Sequence, residues 1–256
     1  MKIEQVALQL YTLRDQLKTP ADIAASLKKA RAIGYRAVQA SGLGPISEPD
    51  LVSILNGEGL QLCATHEPSA TIVNEPEKVV ERLQKLGCIY TAYPHPGGVD
   101  VTDPAQLDRL ANQLDHAGEI LHRAGQVLTY HNHAIELVRS GNRTVLDYLY
   151  EETDARFLQG ELDTYWIQYG GGDPAAWCEK LSGRLPLLHL KDYRFTAKNQ
   201  PDFAEIGYGN LNWPKIIAAA EQSGCRWFIV EQDSCPGDPF DSIKLSFDYL
   251  SEHLCS

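Results

Sequence analysis

The chain has 256 residues, 43% of them hydrophobic, enough to bury a substantial core without disulfides, and its 23 Lys+Arg against 34 Asp+Glu give a formal charge of −11. That acidic balance disfavours a sequence-independent grip on nucleic acid, which relies on Lys and Arg to neutralise phosphates. No run approaches the about 18 uninterrupted apolar residues of a membrane span, and the opening MKIEQVALQLYTLRD lacks a signal-type apolar stretch, so no membrane association is expected and the cytoplasm is the expected compartment.

Short aliphatic or β-branched runs alternate with longer amphipathic stretches from the N-terminus onward. A first strand is expected at 5–10 (QVALQL), then a helix at 20–33; a second strand at 35–40 (YRAVQA), then a helix at 48–57. Strand three at 60–65 (LQLCAT) leads to a helix at 75–86, and strand four at 88–93 (CIYTAY) to a long one at 103–124. In that long helix Leu107, Leu110, Leu114 and Ile120–Leu121 recur at three- and four-residue spacing. Strands at 126–131 (QVLTYH), 157–162 (FLQGEL), 186–190 (PLLHL) and 227–232 (WFIVEQ) are followed by helices at 143–152, 173–182, 213–223 and 238–253.

Glycines 34, 59, 87, 125 and 224 fall where helices should stop. Thr19-Pro20, Ser47, Asp103-Pro104, Asp173-Pro174 and Asn212-Trp213-Pro214 read as N-caps with proline close behind. Strand–helix–strand units at this spacing imply parallel pairing, because no hairpin can join them. Eight units across residues 1–256 predict an α/β fold of (β/α)₈ barrel type in one domain. A doubly wound open sheet is the alternative, but LQLYTLRDQ after the first strand offers no phosphate-binding glycine loop.

Four apolar runs of the second half each close on a residue able to bind a metal: VLTYHNHAIE on Glu136, FLQGELD on Asp163, LPLLH on His189 and WFIVE on Glu231. The strands of such a barrel all point one way, so their C-terminal ends share one mouth and would bring these four together. Clustered carboxylates are costly without a cation, and an oxygen-and-imidazole set suits Mn²⁺, Mg²⁺, Co²⁺ or Zn²⁺. His131 and His133, two apart on one strand face, compete with Glu136 for the fifth-strand position. His66 and His95 end the third and fourth strands, Lys191 and Asp192 follow His189, and Trp166 follows Asp163 as a candidate apolar wall. His116, His122 and His253 lie in helices and read as surface residues. The six cysteines form no CxxC pair and several sit in apolar patterns, which fits reduced thiols.

With these residues in place the chain resembles the sugar phosphate isomerase/epimerase superfamily, the xylose isomerase-like TIM barrels. The resemblance runs from LQLYTLRD to FIVEQD and rests on YHNHAIEL (130–137), ELDTYW (161–166), LLHLKDY (187–193) and IGYGNLNW (206–213). It implies a divalent metal, Mn²⁺ first, held by Glu136, Asp163, His189 and Glu231, with a small sugar or polyol as substrate. Glu136 and Glu231 would flank the substrate as ligands and acid/base groups, with His133 a proton shuttle, and His66, His95, Trp166 and Lys191 would bind or orient hydroxyls. A homodimer fits the resemblance. The strand-two segment departs from it, because many relatives carry an acid or other distinctive residue after that strand and this chain reads AVQAS, with Gln39.

A metal of this kind polarises a sugar carbonyl and stabilises the enediolate left by α-proton removal. The expected function is therefore a sugar isomerase or epimerase. The alternative is a lyase on the same metal, of inosose dehydratase type or acting on 3-keto-glycosides, with a non-catalytic sugar-binding barrel behind it. The DNA-cleaving branch of the superfamily conflicts with the acidic balance.

Overall fold

The computed structural model describes residues 1–255. Eight parallel strands close a barrel in sequence order: β1 (Val6–Gln9), β2 (Ala37–Ala40), β3 (Gln61–His66), β4 (Tyr90–Tyr93), β5 (Val127–His131), β6 (Leu158–Asp163), β7 (Leu187–Leu190) and β8 (Trp227–Val230). Pairing of Val6 with Phe228 and Ala7 with Ile229 shuts the ring. The expected (β/α)₈ barrel is the observed fold.

Helices cover the outside, and their ends follow the punctuation of the sequence. Thr19, Ser47, Asp103, Asp173 and Asn212 each accept a backbone N–H of the helix that follows. These caps satisfy donors that the first helical turn cannot satisfy itself. Gly59 and Gly87 close their helices with φ of 65° each, a left-handed conformation that a side chain would strain. No helix among the described residues is long and apolar enough to cross a membrane.

Besides short 3-10 turns, four elements lie outside the expected pattern. Short helices Ser69–Asn74 and Thr164–Tyr169 follow β3 and β6. Two small antiparallel ribbons, Arg139–Ser140 with Arg143–Thr144 and Asp192–Phe195 with Pro201–Ala204, extend the loops after β5 and β7. All four stand on the C-terminal side of the barrel, where loops carry the variable structure of this fold.

Two apolar zones form the core. The larger lies between barrel and helices, and a smaller one fills the barrel itself with Ala7, Ala37, Cys63, Tyr90, Leu187 and Ile229. Alternation along each strand then sets what lies above that plug. Two residues beyond Ala7 and Ala37 are Gln9 and Gln39, register partners on β1 and β2. Two beyond Leu187 is His189, paired with Asp163, and two beyond Ile229 is Glu231. Inward positions thus change from apolar to polar on approaching the mouth.

Candidate metal centre at the barrel mouth

β6 contributes two inward carboxylates, Glu161 and Asp163, because residues two apart on a strand face the same side. His131 at the end of β5 is the register partner of Glu161, and His189 on β7 is the partner of Asp163. Glu231 follows β8 directly. The ligating atoms of His131, Asp163, His189 and Glu231 lie within 4.8 Å of one another, as do those of a second, deeper group, His66, His131, Glu161 and His189.

Local bonding holds this geometry. Asn132 accepts the N–H of Asp163 at 2.9 Å, and Asp163 itself caps the next short helix by accepting the N–H of Trp166 at 3.1 Å. Thr164 Oγ1 accepts the N–H of Lys191 at 3.0 Å, tying the end of β6 to the end of β7. His189 Nδ1 lies 2.7 Å from Glu231 Oε2, and Lys191 Nζ lies 2.7 Å from Asp163 Oδ2, 2.8 Å from Glu231 Oε2 and 3.2 Å from Asp233 Oδ1.

These groups are buried, so their charges depend on one another. Burial opposes a charge on His189, but Glu161 and Glu231 on either side bring its imidazolium to about 10. Burial likewise opposes the Lys191 ammonium, which Asp163, Glu231 and Asp233 nevertheless hold well above the ordinary lysine value. Against burial, Lys191 and His189 keep Glu231 well below the carboxylate range. Asp163 goes the other way, raised by burial more than Lys191 lowers it. Burial, followed by the His189 charge, pushes His131 well below the ordinary histidine value, leaving a neutral imidazole with a lone pair to give.

This donor set fits a divalent ion. Two imidazole nitrogens and two carboxylate oxygens suit Mn²⁺, Co²⁺ or Zn²⁺. One buried atom of the set, Asp163 Oδ2, also lacks a directed hydrogen bond. The 2.7 Å approach of Lys191 to Asp163 Oδ2 is a charge contact at an angle unsuited to a hydrogen bond.

Asp163, His189 and Glu231 meet as the strand ends suggest, but Glu136 does not join them. It sits in a tight turn, Ile135–Leu137, fully buried, with Oε1 accepting from Tyr130 Oη at 2.9 Å and Oε2 accepting from the N–H of His133 at 2.8 Å. Its carboxylate therefore fixes the YHNH loop, and the residue grouped with the other three is His131. Polar residues beyond several strand ends do converge: Tyr11, Arg14, His66, His95, His133 and Lys191 help line a cavity of about 360 Å³ above the centre. The His133 ring lies 5.1 Å from that of His95 and 5.4 Å from that of Trp166. Burial, then the nearby Lys191 charge and His95, lowers His133 to about 3.

Sequence reasoning passed over Glu161, Gln39 as a site residue, Gln9, and Asp233 at the pocket wall. Glu161 had a signal: in GELD the two acids are two apart and must share a face. Asp192, one residue beyond Lys191, points out of the barrel. Its carboxylate accepts the N–H groups of Gly207 and Gly209 at 2.9 and 3.1 Å and Trp213 Nε1 at 2.7 Å. A Cβ on Gly209 would come within 2.3 Å of Asp192 Oδ1, which explains the glycine in IGYGNLNW.

A closed parallel barrel with clustered imidazoles and carboxylates at its C-terminal mouth defines a class of metal-dependent α/β barrels. Residues 27–253 match the model of the xylose isomerase-like TIM barrel family, and the chain belongs to that family. It is similar to an inosose dehydratase of Geobacillus kaustophilus (strain HTA426), 25% identical over 88% of this chain and 85% of the relative. It is also similar to an inosose dehydratase of Mesomycoplasma hyopneumoniae (strain 7448), 29% identical over 57% of this chain and 54% of the relative, so that match spans about half of the relative. Among solved structures, a sugar phosphate isomerase/epimerase from Parabacteroides distasonis ATCC 8503 superposes with a TM-score of 0.83 at 21% identity, covering 98% of this chain and 99% of that one. Family membership and the two ligand groups together support a metal-dependent, sugar-modifying enzyme.

Proposed function

We propose that this protein is a divalent-metal-dependent lyase that removes water from a cyclic keto-polyol of the inosose kind. The observation that carries the reading is the convergence of His131, Asp163, His189 and Glu231 beneath a polar cavity, in a chain similar along most of its length to an inosose dehydratase. Dehydration takes a proton from the carbon next to a ketone and expels a hydroxyl from the carbon beyond it. The proton and hydroxyl leave as water, and a carbon–carbon double bond forms between the two carbons.

When bound, the divalent ion would supply Lewis-acid stabilisation of the enolate oxygen, with His131, Asp163, His189 and Glu231 holding it. The remaining steps fall to the chain's own groups. His133 lines the cavity as a neutral imidazole, and we assign it the substrate proton. Lys191 presents a secured ammonium at the cavity floor, able to donate to a substrate oxygen. His66, His95 and Asp233 line the wall where the remaining hydroxyls would be bound, and Trp166 packs against His133 without lining the cavity itself.

An isomerase or epimerase, the reading favoured by the strand-end pattern alone, shares the first proton removal and differs in where the proton returns. The named relatives shift the preference to water loss. The test is to incubate metal-loaded protein with an inosose and follow the product by mass spectrometry. Loss of one water supports the lyase. An isomeric product of unchanged mass overturns it in favour of isomerisation, and tight binding without turnover overturns both.

A further inference from the structure

Beneath the mouth, one fully buried carboxylate gathers four partners. Glu161 Oε1 lies 2.5 Å from His66 Nε2, 3.1 Å from His189 Nε2 and 3.3 Å from His131 Nδ1, and Oε2 accepts from Gln39 Nε2 at 2.6 Å. Each imidazole of the upper group shows its other nitrogen to the mouth: His189 Nδ1 faces Glu231, and His131 Nε2 is 3.9 Å from Asp163 Oδ2. The 2.5 Å between Glu161 Oε1 and His66 Nε2 is a hydrogen-bond distance, shorter than two ligands of one tetrahedral ion stand apart.

The hydrogen-bond directions can be followed outward from this carboxylate. An ionised carboxylate only accepts, so Gln39 must turn its NH₂ toward Glu161. Its carbonyl oxygen then faces the other way, where it accepts from Gln9 Nε2 at 2.9 Å and lies 2.7 Å from His189 Nε2. His189 must therefore carry hydrogen on Nε2, which leaves Nδ1 as the nitrogen that would give up its proton on binding a metal. Metal-bound histidines commonly have the opposite ring nitrogen anchored in this way, which fixes tautomer and ring angle.

We propose that Glu161, acting through Gln39, is the positioning residue of this centre: it orients the His189 ring so that its Nδ1 faces the cation at the mouth that His131 Nε2 also faces. The inference rests on a metal binding there, and not on which reaction that metal serves.

The experiment is Co²⁺ titration of metal-free wild type and variants, read by chelator competition, by the visible d–d bands of the bound ion and by metal analysis. Wild type is expected to bind one Co²⁺ per chain. Glu161→Gln, whose amide can also donate, is expected to lose about 10–100-fold in affinity and to shift the d–d bands at unchanged stoichiometry. Glu161→Asp should recover part of both. If Glu161→Gln does not fold, as judged by near-UV circular dichroism, Gln39→Met tests the same link, with weaker binding and displaced bands expected. Unchanged affinity and bands in the folded variants overturn the inference. So do two Co²⁺ per wild-type chain with one lost in Glu161→Gln, because Glu161 would then be a ligand. No Co²⁺ binding by wild type would instead defeat the metal reading on which the proposed function stands.

Discussion

The ammonium of Lys191 rests 2.7 Å from Asp163 Oδ2, within the group of atoms that would receive a divalent ion. The lysine neutralises part of the site's negative charge and would repel an incoming cation. Lys191→Met should therefore tighten Mn²⁺ or Co²⁺ binding roughly tenfold, about 1.4 kcal/mol. The metal-free variant should lose about 3–5 kcal/mol of stability, because a buried pair has lost one partner. Calorimetric titration and thermal melts with and without metal check both, and weaker binding by the variant would show that Lys191 helps to hold the site together.

Removing a ligand should have the opposite effect. His189→Ala and Glu231→Gln should each lower affinity by at least about 100-fold, at or above the upper end of the loss for a group that merely supports a ligand. Metal analysis after dialysis decides the matter: full metal content in both variants would remove this cluster as the centre.

Glu136 offers a contrast in which structure and metal separate. Glu136→Ala should cost about 1–3 kcal/mol by stranding the Tyr130 hydroxyl and the His133 N–H, while Co²⁺ stoichiometry stays unchanged. Glu136→Gln should cost less. Burial raises the Glu136 carboxyl above its ordinary value, so the folded wild type holds that proton to higher pH than the unfolded chain does. Wild-type stability then falls relative to the Gln variant as pH rises from the unfolded toward the folded value, and the gap between the two narrows. Urea melts across the acidic range would show this, and a widening gap would contradict it.

Burial pushes the thiols of Cys88 and Cys178 up to about 12. At pH 8 only roughly one in ten thousand would be thiolate. Iodoacetamide should modify the partly exposed Cys235 and Cys255 first, with the buried pair protected until pH or denaturant rises. Peptide mapping that found Cys88 labelled as fast as Cys255 in folded protein would refute this.

Most of the barrel was legible because its signals are local. Strand alternation, helix-stopping glycines and proline-marked caps all act within a few residues, and strand ends placed Asp163, His189 and Glu231 together without coordinates. What escaped depends on side-chain direction. Glu136 follows an apolar run, yet its turn aims the carboxylate back at the Tyr130 hydroxyl and the His133 N–H, and His131 reaches the mouth instead. Glu161 was hidden in mid-strand because attention to strand ends ignores the second inward position of the same strand. The ribbon Asp192–Phe195 with Pro201–Ala204 is short and polar, and neither helical nor strand periodicity announces it.

The outward turn of Asp192 couples two regions that would otherwise vary independently. Lys191 and its neighbour point to opposite sides of one peptide, the first toward the cation and the second into the amide cradle at Gly207, Gly209 and Trp213. An insertion or deletion in that outer loop would pull on Asp192 and so re-aim the lysine. Loop length between residues 205 and 213 thus becomes a tuning element for the charge at the mouth, and a library that varies it should change metal affinity without touching a single ligand.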